Sequence, residues 1–173
     1  VATKKMITIK KEHFYRKEYD SLRGLIDMLI DMPHELRGQP MLEIGAHIGD
    51  STEIFSMFFS PVYTIDPFTV KIYDKFKEKT NHLSNIKPIT GYSETSYKLI
   101  PDDLAFVYID GKHTYDQVAL ELLLYFPKIR KGGVIGGHDY KLSAFPGVVQ
   151  AINEKFGEPD RWYIDSSWIV RKA

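Results

Sequence analysis

LEIGAHIGDST, residues Leu42 to Thr52, is the stretch on which the fold turns. Leu42 and Ile44 supply the apolar positions of a short buried strand, Gly45 and Gly49 bound a turn, and a helix follows. Glycine at both ends removes side chains where the backbone must bend or come close to a ligand. Asp50 and Glu53 stand at capping-box spacing, so a helix is predicted to start at Asp50 and to run through Ile54, Phe55 and Phe58 until Pro61 stops it. A strand feeding a helix through such a turn is how open α/β sheets build ligand crevices at strand carboxyl ends.

The chemistry of the turn narrows what could sit there. Gly45-Ala46-His47-Ile48-Gly49 lacks the G-x-G-x-x-G order of dinucleotide binders, and no G-K-[ST] follows, which excludes a Walker-type phosphate cradle. Glu43 at the strand end and Asp50 at the helix start would repel a pyrophosphate and suit a ligand carrying positive charge.

Length and composition bound the rest. The chain has 173 residues and a mass of 20.0 kDa, enough for one domain with a full core. Lys and Arg number 23, matched by 23 Asp and Glu, so no global field draws nucleic acid or an anionic membrane, and neither partner is expected. Without cysteine, disulfides, thiolate metal sites and cysteine nucleophiles are excluded. No apolar run approaches the ~18 residues of a membrane span and no signal-peptide pattern opens the chain, so a cytoplasmic setting is expected. The chain opens on Val1 rather than Met, as a trimmed chain or fragment would.

Residues 1–17 are rich in Lys and Arg and read as a solvated basic arm, with a flap over a substrate mouth as the second reading. From Glu18 to Met32, Leu22, Leu25, Ile26, Leu29 and Ile30 recur at helical spacing until Pro33. Strands are predicted at Pro61 to Asp66, Asn85 to Thr90, Leu104 to Asp110 and Val134 to Gly137, the last entered from a break at Lys131 to Gly133. LAFVYI within the Leu104 strand is wholly apolar, the mark of a central strand covered on both faces. Helices are predicted from Tyr115 to the residue before Pro127 and from Pro146 to Phe156, and RWYID with SWIVRK closes the chain as a hairpin. Asp66 ends its strand about 20 residues beyond the glycine turn, where a ribose-binding carboxylate sits in dinucleotide and S-adenosylmethionine folds alike. Its other reading is a helix cap for residues 70–79.

Taken together, these motifs resemble the class I S-adenosylmethionine-dependent methyltransferases. Their first motif is an acidic residue, x, Gly, then x-x-x-Gly, met here by Glu43, Gly45 and Gly49. Gly91-Tyr92-Ser93-Glu94 is similar to the adenine-contacting Gly-x-Ser of the catechol O-methyltransferase type. Asp110-Gly111-Lys112-His113 and Gly137-His138-Asp139-Tyr140 resemble a small branch related to the catechol and macrolide-sugar O-methyltransferases, and the likeness runs from Leu42 to Phe156. It implies a single α/β domain, a Rossmann-like doubly wound seven-stranded sheet, mostly parallel, with an antiparallel C-terminal hairpin. It also implies O-methylation of a small-molecule hydroxyl. Cofactor contacts carried over by the resemblance fall on Glu43, Gly45, Ala46, Gly49, Ser51, Asp66, Ser93, Glu94 and Asp110. Ser51 would hold the methionine carboxylate, Asp66 the ribose and Asp110 the ammonium, while Glu43 would orient the turn through backbone N–H groups.

Methyl transfer is an in-line displacement, so alignment supplies ~7 to 11 kcal/mol and a general base a further 10²- to 10⁴-fold, both as typical magnitudes. His113 and His138, with Asp139 beside them, are the catalytic candidates because imidazole titrates near working pH. Asp110, His138 and Asp139 could instead hold a divalent metal, Mg, Mn or similar; an imidazole ligand moves preference away from magnesium. Two other classes stay open at this point: a nicotinamide-dependent oxidoreductase, disfavoured by the glycine spacing, and a metal hydrolase built on Asp110, His113, His138 and Asp139. With so short a chain, a neighbouring subunit of a homo-oligomer could complete the acceptor pocket.

Overall fold

The computed structural model describes residues 17–173, so the basic arm read over residues 1–17 lies, but for Lys17, outside the described residues. A 3₁₀ run, Lys17–Leu22, leads into α1 (Arg23–Asp31). Then come β1 (Met41–Ile44), α2 (Asp50–Phe58), β2 (Val62–Asp66), α3 (Val70–Thr80), β3 (Ile86–Thr90) and the single turn α4 (Ser93–Ser96). β4 (Leu104–Ile109), α5 (Tyr115–Tyr125), β5 (Ile129–Gly137), α6 (Pro146–Phe156), β6 (Arg161–Trp162) and β7 (Trp168–Arg171) complete the chain.

The strands form a seven-stranded sheet in the order β3-β2-β1-β4-β5-β7-β6, with β1 to β5 parallel and β7 antiparallel to both its neighbours. This is the doubly wound sheet with a closing hairpin that the motif order predicts. Alternation along β4 divides the core into two layers. Phe106 and Tyr108 face α1 to α3 with Leu25, Phe55 and Phe76, while Val107 and Ile109 face α5 and α6 with Val118, Leu122 and Ile152. Chain winding reverses between β1 and β4, which opens a crevice at their carboxyl ends.

Three local expectations give way. The predicted break at Lys131 to Gly133 lies inside β5, because the strand continues across a register shift against β4 that lets Ile129 pair with Leu104. No capping box forms at α2: Gly49, at φ +91°, precedes the first helical residue without a side-chain cap, and Asp50 pairs with Lys79 on α3 instead. Thr69, not Asp66, caps α3, its hydroxyl accepting from the Ile72 amide.

Candidate functional site

Main-chain bonds that run past the strand ends fix the crevice. The Gly45 amide donates to the Ile65 carbonyl, Asp110 to Ile44, His138 to Ile109 and Gly91 to Asp66, at 2.8–3.1 Å. Four loops are thereby held at one edge of the sheet. At Gly45, φ is +94°, and a Cβ there would stand 2.1 Å from the Asp110 carbonyl oxygen, so only glycine lets the first and fourth loops close together.

Between these loops lies a cleft of about 420 Å³. Gly45, Asp66, Ser93, Glu94 and Asp110 line it, as do His47, Tyr92, Lys112, Gln117 and Glu121, which sequence reasoning missed. Four carboxyls against one lysine make a wall that favours cationic and hydroxyl-bearing ligands over phosphates. Asp66 is doubly anchored, Oδ2 accepting from the His47 amide at 2.9 Å and Oδ1 from the Phe68 amide at 2.8 Å. The glycine turn and the β2 end are locked to each other through it, and a carboxylate has lone pairs left for ligand hydroxyls.

Other residues expected at the cofactor sit elsewhere. Glu43 is fully buried, because strand alternation turns it away from Leu42 and Ile44 and under α2. There it accepts hydrogen bonds from the Ser51 hydroxyl and, at 2.5 Å, from the Thr52 hydroxyl. It therefore orients the helix start through side-chain hydroxyls rather than backbone N–H groups, and it touches no ligand space. The Ser51 hydroxyl, expected at the methionine carboxylate, donates its hydrogen bond to Glu43, and Ser51 does not border the cleft. Ala46 packs into the core, and Gly49 rests against Phe76 and Thr80; neither borders the cleft.

Burial pushes the Glu43 carboxyl up to about 7 against the lowering effect of the hydroxyls. A carboxyl raised in the folded state contributes stability that is complete below its unfolded value, 4.5, and is lost as pH rises through about 7. Wild type is therefore expected to lose roughly 3 kcal/mol relative to Glu43→Gln across that window. Urea denaturation of both proteins at pH 5 and pH 8 reads the difference; parallel profiles would refute it.

Beside the Asp110 end of the cleft, Asp139 is clamped between two imidazoles. His113 Nε2 lies 2.9 Å from its Oδ2 and His138 Nδ1 2.9 Å from its Oδ1. Asp139 is 7% exposed and has φ +62°, a left-handed conformation that Asp tolerates better than most residues. His113 Nε2 also stands 3.4 Å from Asp110 Oδ1, and its ring meets Phe145 edge-on at 4.9 Å. The bond with Asp110 raises the His113 pKa, while burial raises that of Asp110 against the pull of His113. An ionised Asp139 accepts only, so the protons belong on His113 Nε2 and His138 Nδ1, leaving His113 Nδ1 and His138 Nε2 with free lone pairs.

Among the described residues, the group able to hold a metal is Asp110, His113 and Asp139, with ligand atoms within 4.8 Å of one another. His113 thus replaces His138 in the expected set. The loop after β4 brings His113 within reach of both Asp110 and Asp139, whereas His138 meets Asp139 alone, through Oδ1. Two carboxylate oxygens and one imidazole fit manganese, iron or zinc better than magnesium.

A methyltransferase domain family model matches residues 42–140. Uncharacterized protein R132 of Acanthamoeba polyphaga mimivirus is 28% identical in an alignment 126 residues long that covers 65% of this chain. The chain spans 57% of the length of that curated relative. Among solved structures, the O-methyltransferase NovP superposes with a TM-score of 0.69 at 15% identity, over 88% of this chain and 79% of its own. The O-methyltransferase TomG from Streptomyces achromogenes, solved in complex with S-adenosylmethionine, gives 0.68 at 12% identity over 96% and 93%. At these identities the likeness is one of fold. Among the described residues, no helix is long and apolar enough to cross a membrane.

Proposed function

The chain belongs to the methyltransferase domain family, and from that premise we propose that it transfers the methyl group of S-adenosylmethionine to a hydroxyl of a small molecule. The observation that carries the hydroxyl reading is the Asp139 carboxylate held between His113 and His138 beside Asp110. Membership in this family sets aside the oxidoreductase and hydrolase readings.

The cleft fits the cofactor by its donor set. Asp110 meets the ammonium, Asp66 accepts from the ribose hydroxyls, and Tyr92, Ser93 and Glu94 border the base. Its acidic lining suits a ligand with two positive centres and no phosphate. Bound there, S-adenosylmethionine supplies a methyl already activated by a positively charged sulfur. Asp139 fixes the imidazole tautomers, and His138 Nε2 takes the acceptor's hydroxyl proton as the new O–C bond forms and the S–C bond breaks. Alignment of the reacting atoms by the rigid strand ends supplies most of the acceleration.

Metal assistance is the second reading, favoured by the three clustered ligand atoms. It requires His113 Nε2 to present a lone pair, so the two readings demand opposite tautomers of His113. Mass spectrometry of methyl transfer across a panel of hydroxylated metabolites, with and without chelator, separates them. Methylated product that survives the chelator is expected, and product only with added metal would reassign the base role to a Lewis acid. Methylation confined to amines or carbon acids would contradict the hydroxyl reading.

A further inference from the structure

α5 reads YDQVALELLLY, apolar on every side, and the fold covers only part of it. Val118, Leu122 and Tyr125 are buried against the sheet. α6 flanks the helix at Tyr115, whose hydroxyl donates to Glu154, and α4 flanks it at Gln117, whose amide donates to the Ser93 hydroxyl. The side that remains faces outward. It carries Asp116, Leu120 and Leu123, then Pro127 in the 3₁₀ turn Phe126–Lys128, at the alternating four- and three-residue spacing by which helices interlock. Leu123 is 64% exposed, and neither it nor Leu120 joins either core layer. Lys128 Nζ donates to the Ile100 carbonyl at 2.8 Å, which sets Leu99, 67% exposed, beside the foot of the helix and widens the apolar strip.

Charge is divided along this strip. Asp116 stands at its head. At its foot stand Lys98, next to Leu99, and Lys155, whose Nζ lies 5.8 Å from the centre of the Phe126 ring. All three are exposed and form no ion pair among the described residues. Asp102, also at the foot, is taken by Lys128 at 3.2 Å, and Lys112, near the head, lines the cleft instead. A face that is apolar in the middle and oppositely charged at its two ends complements itself when turned end for end. We propose that it docks a second copy of the chain. The two α5 helices pack antiparallel about a twofold axis between Leu120 and Leu123, with Asp116 of each copy beside Lys98 and Lys155 of the other. A different protein would have no need of ends that match each other. The pairing holds whatever the cleft binds.

Sedimentation velocity of the whole chain across a concentration series tests the pairing. Wild type is expected to pass from monomer to a species of twice the 20.0 kDa chain mass, with a midpoint of about 1 to 100 μM, as for a small interface. Leu123→Glu sets like charges across the axis and is expected to weaken association at least about 10-fold. Circular dichroism and the melting temperature check that this surface variant keeps the fold. Asp116→Lys and Lys155→Glu, both surface changes, are each expected to weaken association about threefold or more, and the two together to return to within about twofold of wild type. Wild type that stays monomeric throughout leaves the face to some other protein and overturns the proposal. So does a dimer indifferent to Leu123→Glu. A dimer that Leu123→Glu abolishes and the paired charge reversal does not rescue overturns the antiparallel arrangement.

Discussion

Asp139→Asn is expected to lower kcat for methyl transfer by about 10²- to 10⁴-fold, the range over which a positioned base acts. The two imidazole N–H groups point at two oxygens of one carboxylate. An amide offers an oxygen to one of them and an NH₂ to the other. His113 Nε2 keeps its proton because it also faces Asp110 Oδ1, so the amide oxygen turns to His113 and the NH₂ to His138, which must present its Nδ1 lone pair and move its proton to Nε2, where it can no longer accept the hydroxyl proton. Asparagine tolerates the left-handed backbone found at this position, so strain does not confound the comparison. Because Asp139 does not border the cleft, KM for S-adenosylmethionine should stay within about threefold, a split that a general structural defect would not produce. Steady-state kinetics with both substrates varied reads the two constants, and a kcat close to wild type would remove the histidine pair from the chemistry.

Much of this site was legible from residue order because its parts lie at strand ends, where short motifs and topology coincide. Gly45 and Asp110 directly follow their strands and Asp66 ends its own, and parallel pairing brings such positions together whatever the side chains between them. α6 emerged at its observed limits, since Val148, Val149 and Ile152 mark one face and Pro146 marks its start.

What escaped is nonlocal or hidden by a stronger pattern. Glu121 shares a helical face with Val118, Leu122 and Tyr125, so periodicity reads that face as core, and only the fold sets its carboxyl against Ser93, 28 positions earlier. Gln117, one turn before it, was the available hint. The fate of Ser51 depended on Glu43 pointing under α2, which strand alternation already implied from Leu42 and Ile44 on the opposite face. The choice of His113 over His138 among possible metal ligands depended on how the loop between β4 and α5 folds back, which spacing does not specify.

The cleft's occupant is tested most directly by calorimetric titration of wild type and Asp66→Ala with S-adenosylhomocysteine and with NAD. Asp66 holds the His47 and Phe68 amides and faces the cleft, so its loss removes the proposed ribose acceptor and unpins the glycine turn together. Wild type should bind S-adenosylhomocysteine at one site and NAD not at all. Asp66→Ala should bind about 100-fold more weakly or below detection, in line with the loss of hydrogen bonds to a charged group. Binding of NAD in place of S-adenosylhomocysteine, or wild-type affinity in Asp66→Ala, would contradict the sulfonium nucleoside as the ligand that this sheet edge is built to hold.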